Sequence, residues 1–114
     1  MEITEYTFGS IAINGKTYQT DVIITPHSVK DKWWRKQGHN LSIEDLADVI
    51  ATKPEIVIIG SGYYGRMRIP QATRDYLEEQ GIQLVVAKTA EAIDRFNHLQ
   101  QECARIVAAL HLTC

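Results

Sequence analysis

Residues 55–59, Glu-Ile-Val-Ile-Ile, run into Gly60 as a short, unbroken β-branched stretch. This is the composition of a strand buried on both faces. Such a strand needs a layer on each side of its sheet, so the rest of the chain must cover two faces. At 114 residues the chain has about one domain's worth of material, and a chain of this size buries roughly two-thirds of its surface unaided. The expectation is a single domain over residues 1–114 with the 55–59 strand at its centre.

The flanking sequence supplies the covering layers. Residues 4–13 and 16–25 are rich in β-branched and aromatic side chains and are separated by Asn14-Gly15, the strongest short hairpin signal. Pro26 stops the second strand because it has no amide to donate to a ladder. A short extended piece over residues 32–36 follows, ended by Gly38. Ser42 and Asp45 then stand three apart, close to a capping box, with Leu41 and Leu46 placed as a hydrophobic staple. The helix they start buries Leu46, Val49 and Ile50 and stops by Lys53, before Pro54. A second helix is predicted over residues 71–80, behind Pro70, with Thr73, Tyr76 and Leu77 inward and Gly81 at its left-handed end. Residues 82–87 read as another buried strand, and Thr89 as the cap of a helix with the stripe Ile93, Phe96, Gln100 and Cys103. Residues 105–114 suit either a continuing helix or a strand. The pattern is that of an α/β fold: an N-terminal β-hairpin and a mixed central sheet with helices packed on it.

A hydrophobic fraction of 45% with 23% charged residues excludes a disordered chain. No apolar run approaches the roughly 18 residues of a membrane span. The N-terminus carries acids where a signal peptide carries basic residues. Cys103 and Cys114 form no CxxC pair and are expected as free thiols. These features point to a cytoplasmic protein without a membrane role. The net charge of −2 conceals two basic segments. Residues 27–40 hold Lys30, Lys32, Arg35 and Lys36 against Asp31, and residues 59–74 hold Arg66, Arg68 and Arg74 with no acid, so each segment carries +3. If the fold joins them, they form a positive face suited to an anion or an acidic partner.

Gly60-Ser-Gly-Tyr-Tyr-Gly65 spells GxGxxG after a strand, the dinucleotide fingerprint by letter. Pro70 delays the next helix by several residues, and no acid stands about 20 residues on to meet a ribose, so the dinucleotide reading fails on context. Two readings remain. In one, the glycines permit a tight strand exit with a positive φ at Gly60; in the other, the loop exposes backbone amides to an anion, with Ser61, Arg66 and Arg68 as further donors and Lys32 and Arg35 completing the concavity. The candidate ligand-binding residues are thus Gly60, Ser61, Gly62, Arg66, Arg68, Lys32 and Arg35. No catalytic residue, metal site or cofactor is assigned. Ser61 lacks the GxSxG context and a recognisable His/Asp partner. The four histidines have no two-ligand spacing on one helix face. Trp33 and Trp34, as neighbours on an extended segment, face opposite ways, which with the near-neutral charge speaks against a nucleic-acid surface.

Several stretches together carry a resemblance: Trp33-Trp-Arg35 with Gly38-His39, Pro54-Glu55 leading into Ile-Val-Ile-Ile-Gly-Ser-Gly, the Thr89-x-x-Ala92-x-x-x-Phe96-Asn97 helix, Arg105, and the closing His111-x-Thr113-Cys114. In order and spacing the chain resembles a family of small α/β domains of unknown function. That family includes the adipogenesis-associated cytoplasmic protein and the mitochondrial respiratory complex I assembly factor. The resemblance spans nearly the whole chain. It implies a three-layer domain with a mixed central sheet and resolves the C-terminal segment as a strand, but it implies no catalytic residues. Two functions are weighed: a non-enzymatic binding or assembly module with a protein partner, and a small-molecule enzyme or sensor with a phosphate- or nucleotide-like ligand at the Gly-Ser-Gly loop. The first is favoured because no general base, nucleophile or metal set accompanies the loop. A homodimer is compatible with either.

Overall fold

The computed structural model covers Met1–Cys114. It contains eight strands and three α-helices: β1 (Ile3–Thr7), β2 (Ser10–Ile13), β3 (Lys16–Tyr18), β4 (Val22–Ile24), β5 (Val29–Lys30), α1 (Ala47–Ala51), β6 (Ile56–Ser61), α2 (Gln71–Glu79), β7 (Gln83–Ala87), α3 (Thr89–Leu99) and β8 (Ile106–His111). A five-stranded mixed sheet runs β5-β4-β8-β6-β7, and a three-stranded antiparallel sheet runs β1-β2-β3. Strands β6, β7 and β8 are parallel to one another, while β4 is antiparallel to both β5 and β8.

The Asn14-Gly15 turn forms as expected. Both residues take positive φ, 50° and 80°, and Ile13 pairs with Lys16, as in the mirror-image turns that match strand twist. The flanking strands are shorter than the sequence suggests. The first folds back on itself at Phe8-Gly9, with Gly9 at φ +80°, to give β1 and β2. The second ends at Tyr18 and resumes as β4 in the other sheet, because Thr20 and Asp21 bond elsewhere: their oxygens accept the Lys32 and Trp33 amides.

The residue-by-residue alternation of β6 and β8 sorts the core into two layers. Ile56, Ile58, Ile106, Ala108 and Leu110 face α3 and the small sheet, meeting Ala92, Ile93 and Phe96 with Ile3, Ile11 and Ile13. Val57, Ile59, Val107 and Ala109 face Leu46 and Val49 at α1, Leu77 of α2, and Trp33. The result is the expected three-layer α/β arrangement. Residues 106–111 are a strand, and that strand, not β6, is the middle of the sheet; β6 and β8 are both buried along their whole length. Strand β7 is an edge with half-buried residues, not a fully buried strand.

The helices start and stop close to the predicted places. Asp45 accepts the Ser42 amide at 2.9 Å and the Lys36 amide at 3.0 Å, so only the carboxylate half of the capping box bonds, and the first turn, Ile43–Leu46, is 3-10. Gly81 closes α2 at φ +74°. Helix α3 ends at Leu99, so Gln100 and Cys103 lie beyond it; Asn97 and Gln100 instead clamp the first strand, through Ile3 and Met1.

Cys103 precedes β8 and Cys114 follows it, so a strand about 20 Å long separates them, and both thiols are free. Mass spectrometry of non-reduced protein is expected to find two free thiols in the monomer; a peptide linking Cys103 to Cys114 would contradict this geometry.

Candidate functional site

The parallel strands β6 and β8 end side by side, with Gly60 opposite Leu110 and Ser61 opposite His111. Ligands of open α/β sheets bind beyond such carboxyl ends. The glycine loop leaves β6 here, and its conformation follows from close packing. An added Cβ at Gly60 would stand 2.8 Å from Leu110 Cδ2 and 2.9 Å from Thr89 Oγ1, so the need for glycine there is close approach and not the positive φ expected from sequence. The positive φ falls on Gly62 (108°) and Gly65 (71°).

Thr89, read from sequence as a helix cap, ties three elements together. Its hydroxyl accepts the Gly62 amide at 2.9 Å and donates to the His111 carbonyl at 2.6 Å. Ser61 is buried and donates to the Ala87 carbonyl at 3.0 Å. The amides of Gly62, Tyr63, Gly65, Met67 and Arg68 all donate within the protein. The loop therefore turns most of its donors inward.

The 32–36 segment divides. Arg35 reaches the strand ends beneath the loop, whereas Lys32 and Lys36 line a separate surface hollow of about 420 Å³ with Trp33, Trp34, Glu44 and Asp48, and no residue of the 60–68 loop lines it. Lys30, which also lines it, pairs with Asp48, and Lys36 with Glu44. The two basic segments do touch, but by main chain: the Arg68 amide donates to the His39 carbonyl and the Leu41 amide to that of Arg68. Arg66 and Arg68 stay exposed. Trp33 is buried and Trp34 exposed, the opposite facing expected of neighbours.

A buried polar cluster that sequence reasoning missed lies where Arg35 arrives. Asp21 Oδ2 accepts from Arg35 Nη2 at 2.8 Å and lies 2.9 Å from His111 Nδ1, while Oδ1 accepts the Leu112 amide at 2.8 Å. Arg35 and His111 are almost wholly buried, and the guanidinium lies over the Trp33 ring at 4.6 Å. Arg35 Nη2 also lies 2.9 Å from His111 Nδ1, so Nδ1 is the histidine nitrogen that faces both the guanidinium and the carboxylate. Burial by itself raises the Asp21 pKa, but the bonds from His111, the Leu112 amide and Arg35 outweigh it and hold it below the ordinary carboxylate value. Ser61 and His111 stand on the adjacent strands β6 and β8, and Asp21 immediately precedes β4 beside them, yet Ser61 bonds to Ala87, and His111 Nε2 is buried with no partner. The signal in the sequence was a polar residue at the edge of one apolar run and within another, Asp21 directly before Val22-Ile-Ile24 and His111 between Leu110 and Leu112.

Above the cluster the surface is aromatic. Phe8, Tyr63 and Tyr64 are 50%, 47% and 54% exposed, with ring centroids 5.0–6.2 Å apart. Tyr6 underlies Tyr63 at 6.2 Å, and Arg66 lies over Tyr64 at 5.3 Å. The Tyr6 hydroxyl donates to the Leu112 carbonyl at 2.8 Å. Its burial, reinforced by Tyr63 and Asp21 and opposed by Thr89, pushes its pKa up to about 12.

Residues 3–111 match a family described as a protein of unknown function, DUF498/DUF598. The chain belongs to that family. Solved structures agree in fold. The conserved hypothetical protein PH1505 from Pyrococcus horikoshii is 25% identical, with a TM-score of 0.85 and full coverage of both chains. A protein described as MT938 is 29% identical, with a TM-score of 0.80 over 99% of this chain and 98% of the other. A Bartonella henselae protein described as an outer membrane protein is 22% identical, with a TM-score of 0.80 over 98% of this chain and 94% of the other. In the present member of the DUF498/DUF598 family no helix is long and apolar enough to cross a membrane.

Proposed function

We propose that this chain is a one-domain, non-enzymatic binding module of the cytoplasm that holds a partner protein on the aromatic face beyond β6 and β8, in an assembly or regulatory role. The observation that carries this is the contiguous, half-exposed cluster Phe8, Tyr63 and Tyr64 with Arg66 stacked on it. Exposed apolar patches on single domains mark interaction sites, and tyrosine and arginine dominate binding hot spots. Arg66 and Arg68 lie in a segment without acids, and Lys88 packs close to Gly65. The partner is therefore an acidic segment bearing an apolar anchor. In this reading Gly60, Ser61, Gly62 and Arg35 position the face from beneath, and Lys32 lies apart from it. The inward use of the loop amides favours a protein surface over a phosphate pocket.

Selection of a random peptide library displayed on phage tests it. Selected peptides are expected to carry Asp or Glu beside an aromatic or aliphatic anchor and to weaken as salt rises. Tyr64→Ala is expected to cost about 2 kcal/mol, roughly 30-fold in affinity, with unchanged thermal stability. Peptides that bind wild type and a Tyr64→Ala/Arg66→Ala variant equally would place the binding surface elsewhere.

A further inference from the structure

An exposed sheet edge presents unpaired backbone groups, and proteins blunt such edges with shortness, charge, proline or irregular pairing. Three of the four edges here are treated this way. Strand β5 has two residues, one of them Lys30; β3 has three and begins at Lys16; β1 pairs irregularly between Ile3 and Glu5. Strand β7, Gln83–Ala87, has five residues, no charge and no proline, and it pairs with β6 in unbroken register. Its residues Leu84, Val85, Val86 and Ala87 are half-buried.

The backbone polarity of β7 follows from one hydrogen bond. The Gln83 amide donates to the Glu55 carbonyl, toward β6. Successive residues of a strand direct their backbone groups to opposite sides. Val85 and Ala87 therefore also face β6, and Leu84 and Val86 each direct an N–H and a C=O outward.

We propose that β7 pairs with β7 of a second copy of this chain, antiparallel and centred on Val85, joining two five-stranded sheets into one of ten. In that register Leu84 lies opposite Val86 of the second copy, so all four outward groups of each strand are bonded. Val85 meets its own equivalent as a non-hydrogen-bonded pair, and no like charges stand opposite one another. The charges at the strand's ends select this direction. Lys88 follows β7, and Glu78 and Glu79 close α2 just before it, all three exposed. Antiparallel pairing brings Lys88 of each copy toward the acidic end of the other, whereas parallel pairing sets Lys88 against Lys88. The aromatic face takes no part, so this inference stands independently of the proposed partner.

Cysteine cross-linking reads the register. In a Cys103→Ser/Cys114→Ser background, Val85→Cys is expected to give a covalent dimer on mild oxidation, because residues in such a pair have Cα atoms about 4.5 Å apart, within disulfide range. Gln83→Cys is expected to stay monomeric, since the two copies of residue 83 would lie about 13 Å apart along the strands. By sedimentation velocity the unmodified chain is expected to dimerise, and Val86→Pro, which removes an outward N–H, to weaken dimerisation at least about tenfold. A wild-type chain that remains monomeric at every concentration, a dimer indifferent to Val86→Pro, or equal cross-linking at 83 and 85 would each overturn the proposal. Should Val86→Pro fail to fold, the cysteine pair decides.

Discussion

Asp21→Asn is expected to destabilise the fold by about 3–5 kcal/mol, the cost of leaving a buried charge without its partner, with a fall in melting temperature of more than about 10 °C. The carboxylate receives Arg35, His111 and the Leu112 amide together. The asparagine oxygen can keep Leu112, but its amide nitrogen, a donor, would face the guanidinium donors. Arg35, whose side chain is 5% exposed, would then be a buried cation with no carboxylate, left with the Gly38 carbonyl and the His111 Nδ1 as neutral partners. Asp48→Asn is the control. Its ion pair with Lys30 is over half exposed on both sides, and such pairs contribute under about 1 kcal/mol. Replacing both ions, Asp21→Asn with Arg35→Met, is expected to recover part of the loss because no charge is then left unpaired. Denaturant midpoints at neutral pH measure all three variants; a wild-type midpoint for Asp21→Asn would show that the cluster is not needed.

The same carboxylate sets an acid limb. Its native pKa is lowered, so the unfolded chain binds this proton first as pH falls. The contribution is fully present above the unfolded value of about 4 and is lost as pH drops through the lower native value. In urea titrations between neutral and acidic pH, wild type is expected to lose more stability over that window than Asp21→Asn.

What the sequence made legible was local. The Asn14-Gly15 turn, the Pro70 and Gly81 limits of α2 and the strand character of residues 55–59 are each fixed by a few adjacent residues whose backbone preferences the fold obeys. The Arg105–His111 region was ambiguous by periodicity, because a strand buried on both faces and a buried helix present the same apolar run. The site was less legible for a different reason. Asp21 and His111 are 90 positions apart, and only the β4–β8 register brings them together. The basic character of residues 27–40 was visible as charge, but the direction each side chain takes was not. Arg35 turns inward to Asp21, while Lys30 and Lys36 turn to Asp48 and Glu44 on the α1 side, outside that segment. The exposed aromatic face was hidden for the same reason: Phe8 and Tyr63 are distant in sequence and meet only because the β1–β2 turn packs beside the end of β6.

Gly60→Val is expected to be as damaging as the loss of Asp21, and for a steric reason. A Cβ at residue 60 meets Leu110 Cδ2 at 2.8 Å, Thr89 Oγ1 at 2.9 Å and Thr89 Cα at 3.2 Å. None of these can move freely. Leu110 is fully buried, the Thr89 hydroxyl is bonded on both sides, and the Thr89 Cα is backbone at the start of α3. Gly60→Ala is expected to cost about 1–3 kcal/mol, as for other overpacked cores, and valine more, since its two methyl groups must displace the N-terminus of α3 from β6. Leu110→Ala in the Gly60→Ala background is expected to recover little: it relieves one contact, adds a cavity and leaves both Thr89 contacts in place. Gly38→Ala is the reference, because a Cβ there meets nothing within 4 Å and the φ is not positive, so it is expected to be neutral or slightly stabilising. Thermal melts rank the series. If Gly60→Ala melted with Gly38→Ala, the close approach of α3 to β6 would not be what requires glycine at residue 60; a fall in the order of added volume, alanine and then valine, is the result expected if that approach leaves no room for a side chain there.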